Sequence, residues 1–102
     1  IWYIGPYGMS EPIYEYKQSD NGYLIEMRIM KVKVDKHFPE GIKYSLVVID
    51  KKTKKKILGF DNERGKGHHM HRFGREVPYE FLDEWKSIGD FYKEYEKIKE
   101  KL

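Results

Sequence analysis

The clearest pattern in the chain is a pair of alternating segments on either side of Asn21-Gly22. Both central positions of a type I′ turn require positive φ, and Asn-Gly is the dipeptide that best supplies it. Residues then face one another when their numbers sum to 43, which places Tyr16 opposite Met27 and Lys17 opposite Glu26. Apolar residues meet apolar residues and opposite charges meet, so the pattern predicts a hairpin with a fixed register.

Three further strand features follow the hairpin. The apolar parity changes at Ile29 and Met30, which predicts a β-bulge near these residues. Residues 42–49 are β-branched and apolar at consecutive positions, as in a central strand covered on both faces. Residues 50–55 turn the chain, and residues 56–60 return as a fourth strand. The histidine-rich segment 61–75 then leaves the sheet as a loop.

The last quarter of the chain has the periodicity of an amphipathic helix. Ser87 is the expected N-cap, with Asp90 suited to the first turn. Apolar residues then recur every three or four positions, as in a helix that packs on a sheet; they are Ile88, Phe91, Tyr95, Ile98 and Leu102. A shorter helix is expected over residues 78–86.

Together these elements predict one small α+β domain spanning residues 1–102. Residues 1–11 form an extended arm, 12–75 the sheet and the histidine-rich loop, and 79–102 the helical part. The expected architecture is a curved antiparallel sheet of about four strands backed by a C-terminal helix.

Composition narrows the possible chemistry. The chain has no cysteine, which excludes disulfides, thiolate nucleophiles and cysteine metal sites. Its longest apolar run, Leu46 to Ile49, is too short to span a membrane, and no leader pattern opens the chain. A cytoplasmic protein is therefore expected. Many Lys and Glu residues and few amides indicate a heat-adapted source.

Charge is distributed unevenly along the sequence. The formal net charge is +3, but residues 51–75 carry nine Lys or Arg against Asp61 and Glu63, which leaves this segment at +7. The remainder must then sum to −4. This polarity favours an anionic partner such as RNA. Four lysines in the turn are candidate RNA-backbone contacts, although a solvated hairpin tip explains them equally well; they are Lys51, Lys52, Lys54 and Lys55.

Segment 61–75 contains the groups needed for metal-free cleavage of RNA. A base must take the proton of the 2′-hydroxyl, an acid must protonate the departing 5′-oxygen, and cations must stabilise the phosphorane. In an extended segment His69 and His71 point the same way and His68 the opposite way, so His69 and His71 are the preferred acid and base. Asp61 and Glu63 are expected to orient a histidine or to act as base. The expected phosphate ligands are Arg64, Lys66, Arg72 and Arg75.

Two other interpretations of the histidines stay open. They can be exposed loop residues without a role, although three of the chain's four histidines fall within four positions. They can also bind zinc with Asp61 or Glu63, but no second cluster supplies further ligands at a recognised spacing. Metal-free chemistry without a cofactor is therefore preferred.

Three stretches of the sequence resemble the TumE family of toxins, which are components of toxin and antitoxin pairs. They are Glu15-Tyr16-Lys17, residues 34–45, and Phe60-Asp61-Asn62 with Gly67-His68-His69-Met70-His71. The resemblance covers roughly residues 13 to 95 and implies a small, often DNA-binding, antitoxin as partner. The expected layout is also similar to RelE-like and barnase-like toxin nucleases, which cleave RNA without metal. Many RelE-like toxins begin with helices, whereas the amphipathic helix predicted here follows the strands.

These observations predict a toxin that is a metal-independent ribonuclease acting through its His- and Arg-rich loop. The leading alternative is a non-enzymatic module that binds RNA or protein through its basic face. A metal-dependent hydrolase is the third possibility.

Overall fold

The computed structural model describes residues 11–63 and 65–101. The predicted arm over residues 1–11 lies outside this range except for Glu11, which begins the first strand. The described elements are β1 Glu11–Asp20, β2 Tyr23–Lys31, β3 Ile42–Asp50, β4 Lys56–Glu63, β5 Gly67–Arg72, β6 Arg75–Pro78 and α1 Glu84–Glu100. No helix in these ranges has the length and apolarity needed to cross a membrane.

The six strands form one antiparallel sheet in which each strand pairs with its neighbour in sequence, in the order β1 to β6. The class is α+β, but the prediction of about four strands is wrong. The segment 61–75, expected to be a loop, instead completes β4 and forms β5. A turn at Phe73-Gly74 then leads into β6.

The first hairpin has the predicted register. Tyr16 pairs with Met27 and Lys17 with Glu26, and Asn21 adopts a φ of 47° in the turn. The register shifts between Pro12 and Tyr14, opposite Met30 and Ile29. A bulge is therefore present at the predicted place, but its extra residue belongs to β1. Strand β2 pairs with β3 without a shift, and its parity change instead sends Met30 and Val32 into a second buried cluster with Phe38.

Helix α1 packs on one face of the sheet. Phe91 and Tyr95 are buried there, and the Phe91 ring meets Phe60 edge-on at 6.0 Å. The apolar stripe is thus confirmed, whereas the predicted cap is wrong. Asp83, not Ser87, caps the helix, because its carboxylate accepts a hydrogen bond from Lys86 N. Leu102 lies outside the described residues.

The region before α1 also differs from expectation. Residues 79–83 are not helical, and the helix begins only at Glu84. Tyr79 and Phe81 use this irregular stretch to pack against the main core. The predicted helix over residues 78–86 is therefore wrong, because aromatic spacing alone does not separate a helical turn from an extended segment that covers the sheet.

Asn62 joins β3 and β4 where their backbones separate. The regular register ends at the pair Ser45 and Asp61. Beyond it, Asn62 Oδ1 accepts from Tyr44 N at 2.9 Å and Asn62 Nδ2 donates to Ile42 O at 2.7 Å. The side chain is 2 % exposed. It therefore replaces two backbone contacts in a site that water does not reach.

Asn62→Ala is expected to lower the free energy of unfolding by about 2–4 kcal/mol, because it leaves buried backbone groups of β3 unpaired. Urea denaturation measures the change. Gln18→Ala, which removes an exposed amide, is the control and should change stability by less than about 0.5 kcal/mol. Equal midpoints for the two variants would contradict the bridging role.

Candidate active site

Strand β5 distributes its three histidines between two faces of the sheet. His69 and His71 lie on the face opposite α1, which we call the open face, where both contact Glu76. His68 lies on the other face, stacked on Phe81 with ring centroids 4.4 Å apart. The prediction that His69 and His71 point the same way is confirmed, as alternation along a strand requires.

Four side chains on the open face form a continuous chain of contacts. Asp61 Oδ2 lies 3.5 Å from His71 Nε2, and His71 Nδ1 lies 3.6 Å from Glu76 Oε2. The other oxygen of Glu76 lies 3.5 Å from His69 Nε2. His69 Nδ1 is 3.1 Å from Gly67 O. Strand register produces this arrangement, since β5 places His69 opposite Asp61 and His71 opposite Glu76.

The contacts define what each ring can do with protons. The carbonyl of Gly67 can only accept, so His69 Nδ1 carries a proton. His69 Nε2 lies 3.5 Å from Glu76, and each nitrogen of His71 lies within 3.6 Å of a carboxylate oxygen. Both rings are shielded, with side chains 17 % and 18 % exposed. The arrangement therefore holds two imidazoles side by side, each next to a carboxylate.

Asp61 has one further property. Its Oδ1 is buried and has no hydrogen-bond partner within residues 11–63 and 65–101. Buried carboxylate oxygens are normally paired, and exceptions concentrate at functional sites.

The side chain of Lys56 extends over the open face. Its aliphatic chain lies over Gly59, where an added Cβ would meet Lys56 Cδ at 3.1 Å and Nζ at 3.5 Å. Gly59 pairs directly with His71, and directly opposite residues on a sheet have Cβ positions about 5 Å apart. The ammonium group of Lys56 therefore lies next to the histidine pair.

The open face continues from Asp61 towards β2. Ser45 pairs with Asp61 and with Arg28, and these rows border a shallow depression of about 190 Å³. Arg28 lies 3.9 Å from Glu26 on the wall of this depression. The surface beside the histidine pair is thus polar and shallow rather than an enclosed cleft.

The other predicted phosphate ligands are not assembled around the histidine pair. Arg72 lies on the helix side, where it forms an ion pair with Glu94. Arg75 is exposed, and its backbone pairs with that of Arg72 across the turn between β5 and β6. Lys66 lies 3.7 Å from Glu63 in the exposed β4–β5 turn. Arg64 lies outside the described residues. The expected convergence of Arg72 with His69 and His71 is wrong, because the residue after His71 in a strand points to the opposite face.

The lysine-rich turn occupies one end of the sheet. Its four candidate side chains are exposed and extend from the hairpin between β3 and β4; they are Lys51, Lys52, Lys54 and Lys55. They lie at the end of the sheet from which Lys56 extends towards Gly59.

His68, a predicted catalytic residue, has a structural environment. Burial raises the pKa of Tyr44, so its hydroxyl stays protonated and donates to His68 Nδ1 at 2.8 Å. His68 Nε2 then donates to Glu40 Oε2 at 3.1 Å. The ring stacks on Phe81 and lies beside Tyr44, and it joins the loop before β3 to β5. This places His68 on the opposite face from His69 and His71.

The sequence did not identify Glu76 and Lys56 as residues of the candidate site. Glu76 becomes a partner of the histidines only once β5 and β6 form a hairpin, in which paired residue numbers sum to 147. The one available signal was that this register places Glu76 opposite His71. Lys56 belongs to the basic segment 51–75, but nothing in its spacing indicates that it folds back over Gly59.

No group of three or more His, Asp or Glu side chains suited to a metal ion occurs within the described ranges.

A scan against protein-family models found no match, and searches of curated proteins and of solved structures also found none. The expected likeness to RelE-like and barnase-like folds stays a prediction.

We expect His68→Ala to lower the free energy of unfolding by about 1–3 kcal/mol, because it leaves the buried Tyr44 hydroxyl unpaired and removes a stacked ring. Chemical denaturation provides the measurement. His37→Ala, at the chain's remaining histidine, is the matched control with a smaller expected effect. An unchanged unfolding midpoint for His68→Ala would show that the contacts of His68 are not structural.

Proposed function

We propose that this chain is a metal-independent endoribonuclease that acts through the histidine pair of the open face. The observation that carries the proposal is that His69 and His71 lie 3.5 and 3.6 Å from the two oxygens of Glu76, with Asp61 on the far side of His71. A donor and an acceptor of protons held by carboxylates suit general acid–base catalysis.

The reaction balances with these two groups. His69 Nε2 accepts the proton of the 2′-hydroxyl while the 2′-oxygen attacks phosphorus. The bond from phosphorus to the 5′-oxygen breaks, and protonated His71 supplies a proton to that oxygen. The products are a 2′,3′-cyclic phosphate and a free 5′-hydroxyl. Glu76 holds both rings, and Asp61 stabilises the charged form of His71 before the proton leaves.

Lys56 supplies the charge stabilisation in this proposal. The phosphorane formed during attack carries additional negative charge, which a cation fixed nearby stabilises more than it stabilises the ground state. Lys56 takes the role that the sequence suggested for Arg72, because it lies on the same face as His71.

The biological role we propose is that of the toxin in a toxin and antitoxin pair. Its support is the resemblance to the TumE family through Asp61-Asn62 and the cluster Gly67 to His71. The structure gives these residues physical tasks, since Asp61 contacts His71, Asn62 joins two strands and Gly67 accepts from His69. The partner would be a small DNA-binding antitoxin, and the substrate would be cytoplasmic RNA.

The histidine pair can be tested with purified protein and labelled RNA in EDTA. Wild-type protein should produce cyclic phosphate ends without added metal. His69→Ala and His71→Ala should each lower the cleavage rate by about 10²–10⁴-fold, and the double variant should lose little more because the pair acts as a unit. His37→Ala is the control and should cleave normally. Cleavage by the folded double variant at the wild-type rate would refute the assignment.

Lys56→Ala is expected to lower kcat by roughly a hundred-fold, because a preorganised cation near the phosphorane is removed. Lys56→Arg should recover part of the rate, since it restores the charge. Single-turnover cleavage is the appropriate measurement, with Lys36→Ala as an exposed control lysine. Equal losses in Lys56→Ala and Lys36→Ala would indicate general electrostatic attraction instead of a role in the reaction.

One observation favours the alternative of binding without cleavage. The open face offers a shallow surface, and the depression that borders Ser45, the strand partner of Asp61, measures about 190 Å³. A module of this kind would retain RNA or a protein without releasing cleavage products, and its growth inhibition would survive the double histidine substitution. Activity lost on chelation and restored by zinc would instead support a metal-dependent hydrolase.

A further inference from the structure

The turn between β5 and β6 contains an exposed phenylalanine in an unfavourable conformation. Phe73 has φ 47° and Gly74 has φ 83°, nearly the same as Asn21 at 47° and Gly22 at 88° in the first hairpin. Asparagine adopts this left-handed conformation readily, whereas a bulky residue rarely does. Phe73 is also 57 % exposed, so little core packing offsets the strain. Neither turn geometry nor burial explains an aromatic residue here.

Phe73 forms one wall of a groove whose surface is mostly apolar and is bordered by several cations. The groove has a volume of about 360 Å³ and is lined by Arg72, Phe73, Lys97, Ile98, Glu100 and Lys101. Three cations and one carboxylate thus line the groove, and two of these cations, Arg72 and Lys97, also contact Glu94. Ile98 is buried and provides an apolar base, while Lys97 and Lys101 extend from the exposed end of α1. An exposed aromatic ring next to an apolar surface and several cations suits a ligand with flat rings and negative charge.

This groove lies on the α1 side of the sheet, at the end from which Lys56 extends. Phe73 N donates to Ile57 O at 3.0 Å, which fixes the turn beside the first residues of β4. Lys56, the neighbour of Ile57, extends towards Gly59 and His71 on the other face. The C-terminal half of α1 is held at the same end of the sheet, because Tyr95 donates to Asp20 at 2.6 Å. The groove and the side chain of Lys56 therefore share one end of the sheet and lie on opposite faces.

We infer that Phe73 is a stacking platform for a base of single-stranded RNA, with Lys97 and Lys101 contacting the adjoining phosphates. The inference rests on the proposed function for the identity of the ligand as substrate RNA. Stacking on an aromatic face is sequence-tolerant, because every base offers such a face, and the lysines add an affinity that falls with salt. The platform binds RNA at the end of the sheet from which Lys56 extends towards Gly59.

The test is fluorescence anisotropy with a labelled 2′-O-methyl oligouridine of about twelve nucleotides, a length within usual site sizes. Phe73→Asn places a residue suited to left-handed φ in the turn, so the variant should fold at least as stably as wild type. Its affinity should nevertheless fall roughly ten-fold, while Phe73→Tyr should retain affinity. Leu82→Asn, which alters an exposed apolar residue of similar accessibility away from the groove, should bind like wild type.

The lysines provide an independent measurement. Lys97→Ala and Lys101→Ala should each reduce the slope of log affinity against log salt by about 0.7, as expected for one lost phosphate contact on a single strand. The inference is overturned if folded Phe73→Asn binds the oligonucleotide with wild-type affinity. A labelled glutamate-rich peptide provides the comparison. The inference is also overturned if Phe73→Asn weakens binding of this peptide and leaves binding of the oligonucleotide unchanged, because the groove would then bind an acidic protein segment.

The probe separates this inference from the proposed nuclease. A 2′-O-methyl group blocks attack by the 2′-oxygen, so binding is measured without cleavage. Absence of RNA cleavage by wild-type protein would refute the nuclease while the Phe73 comparison still reports on stacking. Cleavage together with unchanged binding by Phe73→Asn would refute the platform alone.

Discussion

The arrangement of this protein depends on one constraint, which is that a single helix covers one face of a six-stranded sheet in the described residues. Side chains alternate between the faces along each strand, so neighbours in sequence belong to different environments. In β5 this sends His69 and His71 to the open face, and His68 and Arg72 to the covered one. Apolar burial against α1 therefore also determines which polar groups can meet a large ligand.

The fold was predictable wherever local signals agreed with one another. Asn21-Gly22 supplied both the turn conformation and, through the matching of charged and apolar pairs, the register of β1 with β2. The turn at Phe73-Gly74 has the same backbone shape but not the same sequence signal. Phenylalanine gives no indication of positive φ. The sequence therefore predicts a loop where the structure has the hairpin of β5 and β6. Local propensity fails most often at sites under some other requirement.

The site was predictable in part for the same reasons. Strand alternation was sufficient to separate His69 and His71 from His68 once the segment was assumed to be extended. Which cations accompany the pair depended on tertiary contacts. Arg72 is withdrawn by its ion pair with Glu94, whereas Lys56 approaches because Gly59 leaves space above the sheet. Proximity in sequence therefore identified the two histidines that lie together but not the cation beside them, since long side chains reach several residues from their origin.

The sequential order of the strands has a consequence for how the molecule forms. Every strand pairs with the strand that precedes or follows it, so each step of sheet formation closes only a short loop. Folding rates rise as contacts become more local, and hairpins can add one after another as the chain emerges during synthesis. Helix α1 comes last and supplies the cover for the apolar face. Until α1 docks, the growing sheet exposes Phe60 and Leu46 to water. Docking of this helix is therefore the step that protects the sheet from aggregation.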